Sequence, residues 1–313
     1  MLPFKNEAQH LQSCLDSIAQ QHYPNFTVAM VDDHSTDTSR KIALAKANND
    51  TRCKYFSNKG HGVIAALQTA ASQLNTEFIT RMDGDDIMPP HKLGTLVRAV
   101  KPNTLVYGTV RYFGSVTKGY LKYEHWLNST LHAQQWNQEI FRECVVPACA
   151  WMMRTKDFLR NTQWNDLQLP EDYHMLLHWF TAGMRFEGIP NLVHWWRHHQ
   201  NRTSLQHKGY TIKAFTALKW HVLQNHFIKP STHVILWGRG PKLKILQECV
   251  MRSTHPYTVI SDVRSAAQQL ENQLSTTPNT KVLSVVGSSD GMQASKALFQ
   301  KFGLYENQSF FFL

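Results

Sequence analysis

The chain has 313 residues, of which 42% are hydrophobic and 18% charged, and carries a formal net charge of +10. That balance excludes a disordered or fibrous chain and provides material for one large folded domain plus a small one. The five cysteines (Cys14, Cys53, Cys144, Cys149, Cys249) are odd in number and lack CxxC spacing, which argues against a cysteine zinc site and for a reduced, cytoplasmic setting. No run of 18 apolar residues and no signal-peptide pattern occurs, so the sequence predicts neither a membrane span nor a secretory leader. The positive balance suits a phosphorylated substrate or peripheral contact with the anionic inner face of a membrane. Nucleic acid is disfavoured, because the basic residues are scattered and form no stripe interleaved with aromatics.

In chain order, "MLPFKNE" is an abrupt start, and "EAQHLQSCLDSIAQQ" then places Leu11, Leu15 and Ile18 at helical spacing. "FTVAMVDD" reads as a strand ending in Asp32 and Asp33. A helix opened by Ser35, Thr36 and Asp37 follows, then a short strand "CKYFSN", a helix "VIAALQTAASQL" and a strand "EFITRMDGDD". Such alternation predicts an α/β fold with helices on both faces of a parallel sheet, whose ligands gather beyond the carboxyl ends of the strands. Asp32, Asp33, Asn58 and the cluster Asp83, Asp85, Asp86 all fall on that rim. Turn and capping chemistry accounts for one or two of them. A divalent cation held by oxygen ligands accounts for the whole group in a basic protein. Arg81 and Lys92 flank the cluster and balance its charge.

From 105 to 200 the pattern is less regular and rich in Trp, Tyr and His, with a helix "LPEDYHMLLHWFTAG" and an extended segment "FEGIPNLVHWWRHH". A helical stretch then leads to Pro230, and a second, shorter strand–helix alternation ends in "SFFFL". The expected organisation is a domain over 1–205, a helical linker over 206–230 and a small Rossmann-like α/β domain over 231–313. In the last, Gly238 and Gly240 follow a strand as in half of a dinucleotide fingerprint, but Leu243 stands where the third glycine belongs.

"LPFKNE", "VDDHSTD", "NKGHGVIAAL", "RMDGDDIMPPHKL", "PEDYHMLLHW" and "WWRHHQNRTS" follow one another in the order found in family 2 glycosyltransferases. Residues 1–205 resemble that family, whose fold is the GT-A, Rossmann-like nucleotide-diphospho-sugar transferase fold. The resemblance implies an inverting transfer of a sugar from a nucleotide-diphosphate donor, a UDP-sugar by preference, to a hydroxyl of a glycan or lipid-linked acceptor. It implies Asp32 and Asp33 in the pocket for base and ribose, Asp33 above all, unless they merely cap the next helix, with Pro3, Asn6, Glu7 and Asn58 flanking the nucleotide. Asp83 then lies near the sugar or ribose, Asp85 and His199 hold Mg²⁺ or Mn²⁺, and Arg197 meets the diphosphate. Asp172 matches the catalytic base and Glu171 a supporting group; both also suit a helix N-terminus after Pro170. Trp195 and Trp196 fit either core packing or stacking on a sugar. Two departures stand out. Family members begin with four or five further strand residues before "LPFKNE", and Leu67 and Gln68 occupy positions where some relatives carry Arg and Asn. The C-terminal part is similar to an appendage of transferases named β-1,3-N-acetylglucosaminyltransferase-like. A different reading keeps the fold without turnover, as a nucleotide-binding assembly protein.

Overall fold

The computed structural model describes residues 1–313 apart from 165, 166, 169, 201, 208, 263–265 and 278. It divides into two compact units. The first comprises Met1–Trp136 and Val145–Leu205, the second Asn137–Cys144 and Gln206–Leu313.

In the first unit, strands β1 (Leu2–Phe4), β2 (Val28–Asp32) and β3 (Cys53–Ser57) form a parallel sheet in the order β1-β2-β3. Pro3 lies opposite Val31, and Asp32 pairs with Phe4 on one side and Ser57 on the other. All five β2 residues are buried, as a strand covered on both faces requires. A second sheet has the order β4-β6-β5-β7, built from β4 (Phe78–Ile79), β5 (Thr104–Gly114), β6 (Trp151–Arg154) and β7 (Arg185–His198). The two sheets meet edge to edge. The Met1 amino group donates to the Thr80 carbonyl at 2.9 Å, and the Met82 N–H donates to the Met1 carbonyl at 2.9 Å. The strand expected over "EFITRMDGDD" therefore pairs as a ladder at only two residues, and the rest runs alongside the start of the chain.

The helix Leu11–Ala19 starts where the Glu7 carbonyl accepts from the N–H groups of His10 and Leu11, at 2.9 and 2.8 Å. Its buried face, Leu11, Cys14, Leu15 and Ile18, joins Leu2, Phe4, Met30, Met82 and Met88 in one core. Each large side chain buried there contributes about 1.5–3 kcal/mol. This packing fixes the segments after β1 and β4 side by side.

Strand β6 runs antiparallel to both β4 and β5, which the strand–helix alternation did not foretell. Strand β7 runs parallel to β5 over its whole length, with register shifts around Thr109. At Gly108 a Cβ would stand 2.6 Å from the Asn191 carbonyl oxygen and from Val193, so only glycine admits that bulge. Past the bulge, β7 also reaches the acidic loop: Ile87 and Trp195 exchange two backbone hydrogen bonds of 3.1 Å.

The second unit has a parallel sheet ordered β11-β10-β8-β9, from β8 (Val234–Trp237), β9 (Tyr257–Ile260), β10 (Lys281–Ser284) and β11 (Phe310–Phe312). Residues 206–230 are part of this unit, their helix Ile212–His226 packing against the helix Pro241–Met251. So is the segment Asn137–Cys144: Phe141 meets Phe227 and Phe311 edge-on, each at 5.4 Å, and Lys219 Nζ donates to the Arg142 carbonyl at 2.7 Å. Among the described residues no helix is long and apolar enough to cross a membrane.

Candidate active site

Four strand ends of the first unit deliver side chains to one rim. After β1, Asn6 takes a left-handed backbone (φ 54°). Its Oδ1 accepts from the Thr36 N–H at 2.8 Å, and its own N–H donates to Ser35 Oγ at 3.0 Å. The Glu7 N–H donates to Ser39 Oγ at 2.7 Å. Burial, then Asp85, Asp83, Asp86 and Asp37, push the Glu7 carboxyl up to about 8. Glu7 therefore faces the acidic cluster, whereas Pro3 lies buried in β1.

After β2 the two aspartates divide. Asp32 is used locally, accepting from the Ser35 N–H at 2.9 Å and from the Tyr55 hydroxyl at 3.2 Å. Asp33 is buried, and its Oδ1 accepts from Asn58 Nδ2 at 2.6 Å and the Gly62 N–H at 2.9 Å. Lys5 Nζ lies 3.4 Å from its Oδ2. Asn58 is fixed in turn by Gly60 N–H and Thr69 Oγ1, both donating to its Oδ1. Asp33 and Asn58 thus form one preset unit with a carboxylate oxygen toward the rim.

The cluster after β4 is held from three sides. Arg81, 6% exposed, donates from Nε to Asp83 Oδ1 at 2.7 Å and from Nη1 to Glu171 Oε1 at 2.8 Å. Burial alone would raise the Asp83 carboxyl, but the guanidinium outweighs it and holds the group below the usual carboxylate range. Asp86 is buried, accepting from His194 Nε2 at 2.9 Å and from the Arg197 N–H at 2.7 Å. Burial and Asp83 push it to about 7. Asp85 accepts from His199 Nε2 at 2.9 Å, and its carboxyl is raised by burial, Asp86 and Asp83. Lys92 points inward, donating to the Cys149 carbonyl at 2.5 Å.

The helix Glu171–Thr181 brings the remaining carboxylates. Glu171 is buried on Arg81; Asp172 is half-buried and accepts from the Tyr173 N–H at 2.8 Å. Burial and Glu171 push Asp172 up to about 7, with Arg81 opposing. That is the range of a general base working at neutral pH. Arg81 physically links the first aspartate of the cluster to the residue beside Asp172, a contact across 90 positions of sequence.

From β7, Arg197 donates from Nε to the Asp85 carbonyl at 2.6 Å and from Nη2 to Ser13 Oγ at 3.3 Å, and lies over Phe113. Trp196 stacks on Tyr112 at 4.9 Å, while Trp195 is 42% exposed beside the acidic loop. Sequence spacing gave no sign of Arg202, whose guanidinium lies 4.8 Å over Trp196. Burial works against its charge, but Asp86, Tyr112 and Asp85 outweigh it and raise it. Asn201, in the same motif, lies outside the described residues.

The donor set fits a hard divalent cation. Asp85 and His199 offer an oxygen and an imidazole nitrogen on neighbouring elements, and Glu7, Asp85 and Asp86 are raised largely by burial and one another's charge. A cation there would relieve that repulsion, and Mg²⁺ or Mn²⁺ needs only one or two carboxylates plus substrate phosphates.

A family model described as glycosyl transferase family 2 matches residues 1–160. Glycosyltransferase GlyA of Streptococcus pneumoniae serotype 4 is 31% identical over 100 residues, covering 32% of this chain and 14% of its own length. Glycosyltransferase GlyG of the same strain is 34% identical over 103 residues, covering 32% of this chain and 34% of its own. The matched region is thus well under two thirds of either relative. Among solved structures, S. aureus TarS 1–349 in complex with UDP-GlcNAc is similar with a TM-score of 0.54 at 15% identity, over 88% of this chain and 76% of that one. At that identity the likeness is one of fold, and the fold is of the GT-A type.

Proposed function

We propose, from the premise that this chain belongs to glycosyl transferase family 2, that it moves a sugar from a nucleoside-diphosphate donor to an acceptor hydroxyl with inversion at the anomeric carbon. The observation that carries this is the buried Arg81 bridge, which sets Asp83 of the acidic loop and the Glu171–Asp172 pair around one rim. Asp33 with Asn58 forms the base end of the pocket, where a carboxylate accepts the N3–H of uracil; cytosine has no such donor. That favours a UDP-sugar, and the structurally similar TarS complex holds UDP-GlcNAc. Pro3, Asn6 and Glu7 flank the nucleotide. Asp83 faces the ribose or sugar, and Arg197 stands beside the diphosphate.

Asp85 and His199 would hold Mg²⁺ or Mn²⁺. When bound, such an ion supplies positive charge against the departing diphosphate, worth several kcal/mol. Asp172 takes the proton of the acceptor hydroxyl as that oxygen bonds to C1, and the C1–O bond to the diphosphate breaks on the opposite face. The ionised Asp172 is required, and its raised proton affinity makes it a competent base near pH 7. The exposed Trp195 offers a face on which a sugar stacks. A glycan or lipid-linked acceptor is the class we assign, with the +10 charge favouring work at an anionic membrane face.

The test is a panel of UDP-, GDP- and dTDP-sugars assayed by thermal shift with Mn²⁺, followed by donor hydrolysis without acceptor. Stabilisation by UDP-sugars and slow metal-dependent release of UDP support the reading. Metal-enhanced UDP binding with no turnover on any donor favours a nucleotide-binding assembly protein.

A further inference from the structure

On the same rim, but away from Asp85 and His199, the proposed function leaves two imidazoles unused. His34 and His61 follow Asp33 and precede the helix Gly62–Ser72. Their rings lie 4.4 Å apart, tilted by 32°, and one ligating atom from each of Asp33, His34 and His61 falls within 4.8 Å of the others. Metal–ligand bonds of about 2.0–2.2 Å place tetrahedral ligand atoms about 3.3–3.6 Å apart. The three groups are therefore within a side-chain rotation of closing on one ion.

We propose that Asp33, His34 and His61 form a binding site for a borderline transition metal of the zinc class, set across the base pocket so that the ion and a nucleoside exclude one another. The exclusion rests on the reading of Asp33 as the base contact; the site itself does not.

Three features carry it. Asp33 is a rigid anchor: Oδ1 is committed to Asn58 and the Gly62 N–H, which fixes the carboxylate beside the start of the helix that His61 precedes. Lys5 is the competing charge on Oδ2, but at 3.4 Å with a side chain 53% exposed it can swing into water. His34 holds a left-handed backbone (φ 58°), a conformation unfavourable for a residue with a Cβ, and its Nε2 lies 2.8 Å from the Gly60 carbonyl. In the tautomer that donates Nε2–H to that carbonyl, Nδ1 keeps its lone pair; an imidazole oriented by a backbone carbonyl is the usual arrangement of a metal-bound histidine. Finally, both imidazoles are exposed, so His61 can turn to join His34 on an ion without disturbing the core. Two nitrogens and one oxygen suit Zn²⁺, Ni²⁺ or Cu²⁺, whereas one carboxylate, one imidazole and substrate phosphates suit Mg²⁺ or Mn²⁺. The rim would thus sort ions by hardness.

Titration calorimetry with Zn²⁺ on the full chain, without Mg²⁺, Mn²⁺ or nucleotide, tests this. The His34→Ala/His61→Ala double variant should lose one equivalent of zinc, with its melting temperature in EDTA unchanged. A His199→Ala arm removes zinc caught at Asp85, so that the two sites are counted separately. Saturating UDP should weaken the His34/His61 equivalent at least tenfold. Equal zinc uptake and affinity in parent and double variant overturn the site. Loss of zinc in the double variant, with UDP binding that leaves zinc affinity untouched, overturns the exclusion and the placement of the base at Asp33 while sparing the metal site.

Discussion

Both units open the carboxyl ends of parallel strands onto a rim, yet the rims differ in chemistry. The first gathers Asp33, Asp83, Asp85, Asp86, Glu171 and Asp172, and answers them with the buried guanidinium of Arg81 and with His194, His199 and Arg202. The second offers the turn Gly238–Gly240, both glycines at positive φ, with Leu243 buried in the following helix. There a Cβ on Gly238 would meet Val285 at 2.9 Å, so that glycine serves packing. Strand ends and a glycine turn thus make a place for a ligand, but converging and mutually perturbed ionisable groups make a reaction centre.

If only the first rim is a reaction centre, substitutions in the two units should have different effects. The largest effect is expected from Asp172→Asn, which should lower kcat by about 10²–10⁴-fold and leave UDP affinity in place. Unchanged turnover would remove Asp172 as the base. Next, Arg81→Met removes the guanidinium that the buried Glu171 shares with the half-buried Asp83, and urea unfolding should show a loss of about 3–5 kcal/mol. Rescue of stability by the further change Glu171→Gln would confirm that the loss comes from uncompensated charge.

His199→Ala should raise the Mn²⁺ concentration for half-maximal activity on the order of 10–100-fold, read from a metal titration at fixed donor. The pH profile follows from Asp172, raised from 3.8 to about 7. Because its neutral form is favoured in the folded chain, its stabilising contribution is full below about pH 4 and is lost as pH rises through about 7. Activity runs the other way, since the base must be ionised. It should climb about tenfold per unit up to about pH 7 and then level off. A flat profile from pH 5.5 to 8 would contradict this. Smallest of all, Gly240→Ala, at φ 92°, should lower stability by about 1–3 kcal/mol through backbone strain and leave UDP affinity as it was.

Local chemistry was legible in the sequence: helix Leu11–Ala19 from its apolar spacing, the strand-end aspartates, and the acid pair after Pro170. What escaped depends on contacts between distant residues. Arg81 looked like a neighbour balancing its own loop, because nothing local says that Glu171 will reach it. Asp32 and Asp33 are indistinguishable by type, and only the Tyr55 hydroxyl and the Asn58 amide separate capping from pocket. The antiparallel β6 and the Gly108 bulge are set by pairing across the sheet, where register and not propensity decides.

The excursion of residues 137–144 bears on how the molecule can be dissected. A clone beginning at 206 would omit Phe141 and bare the aromatic faces of Phe227 and Phe311 to water, while one ending at 205 would carry Ile140 and Phe141 in its middle without the unit they pack into. Neither half is a clean cut of the gene, so failure of a truncated piece to fold or bind would report the misplaced eight-residue insert, lost from one piece and stranded in the other, before it reported anything about the role of that half.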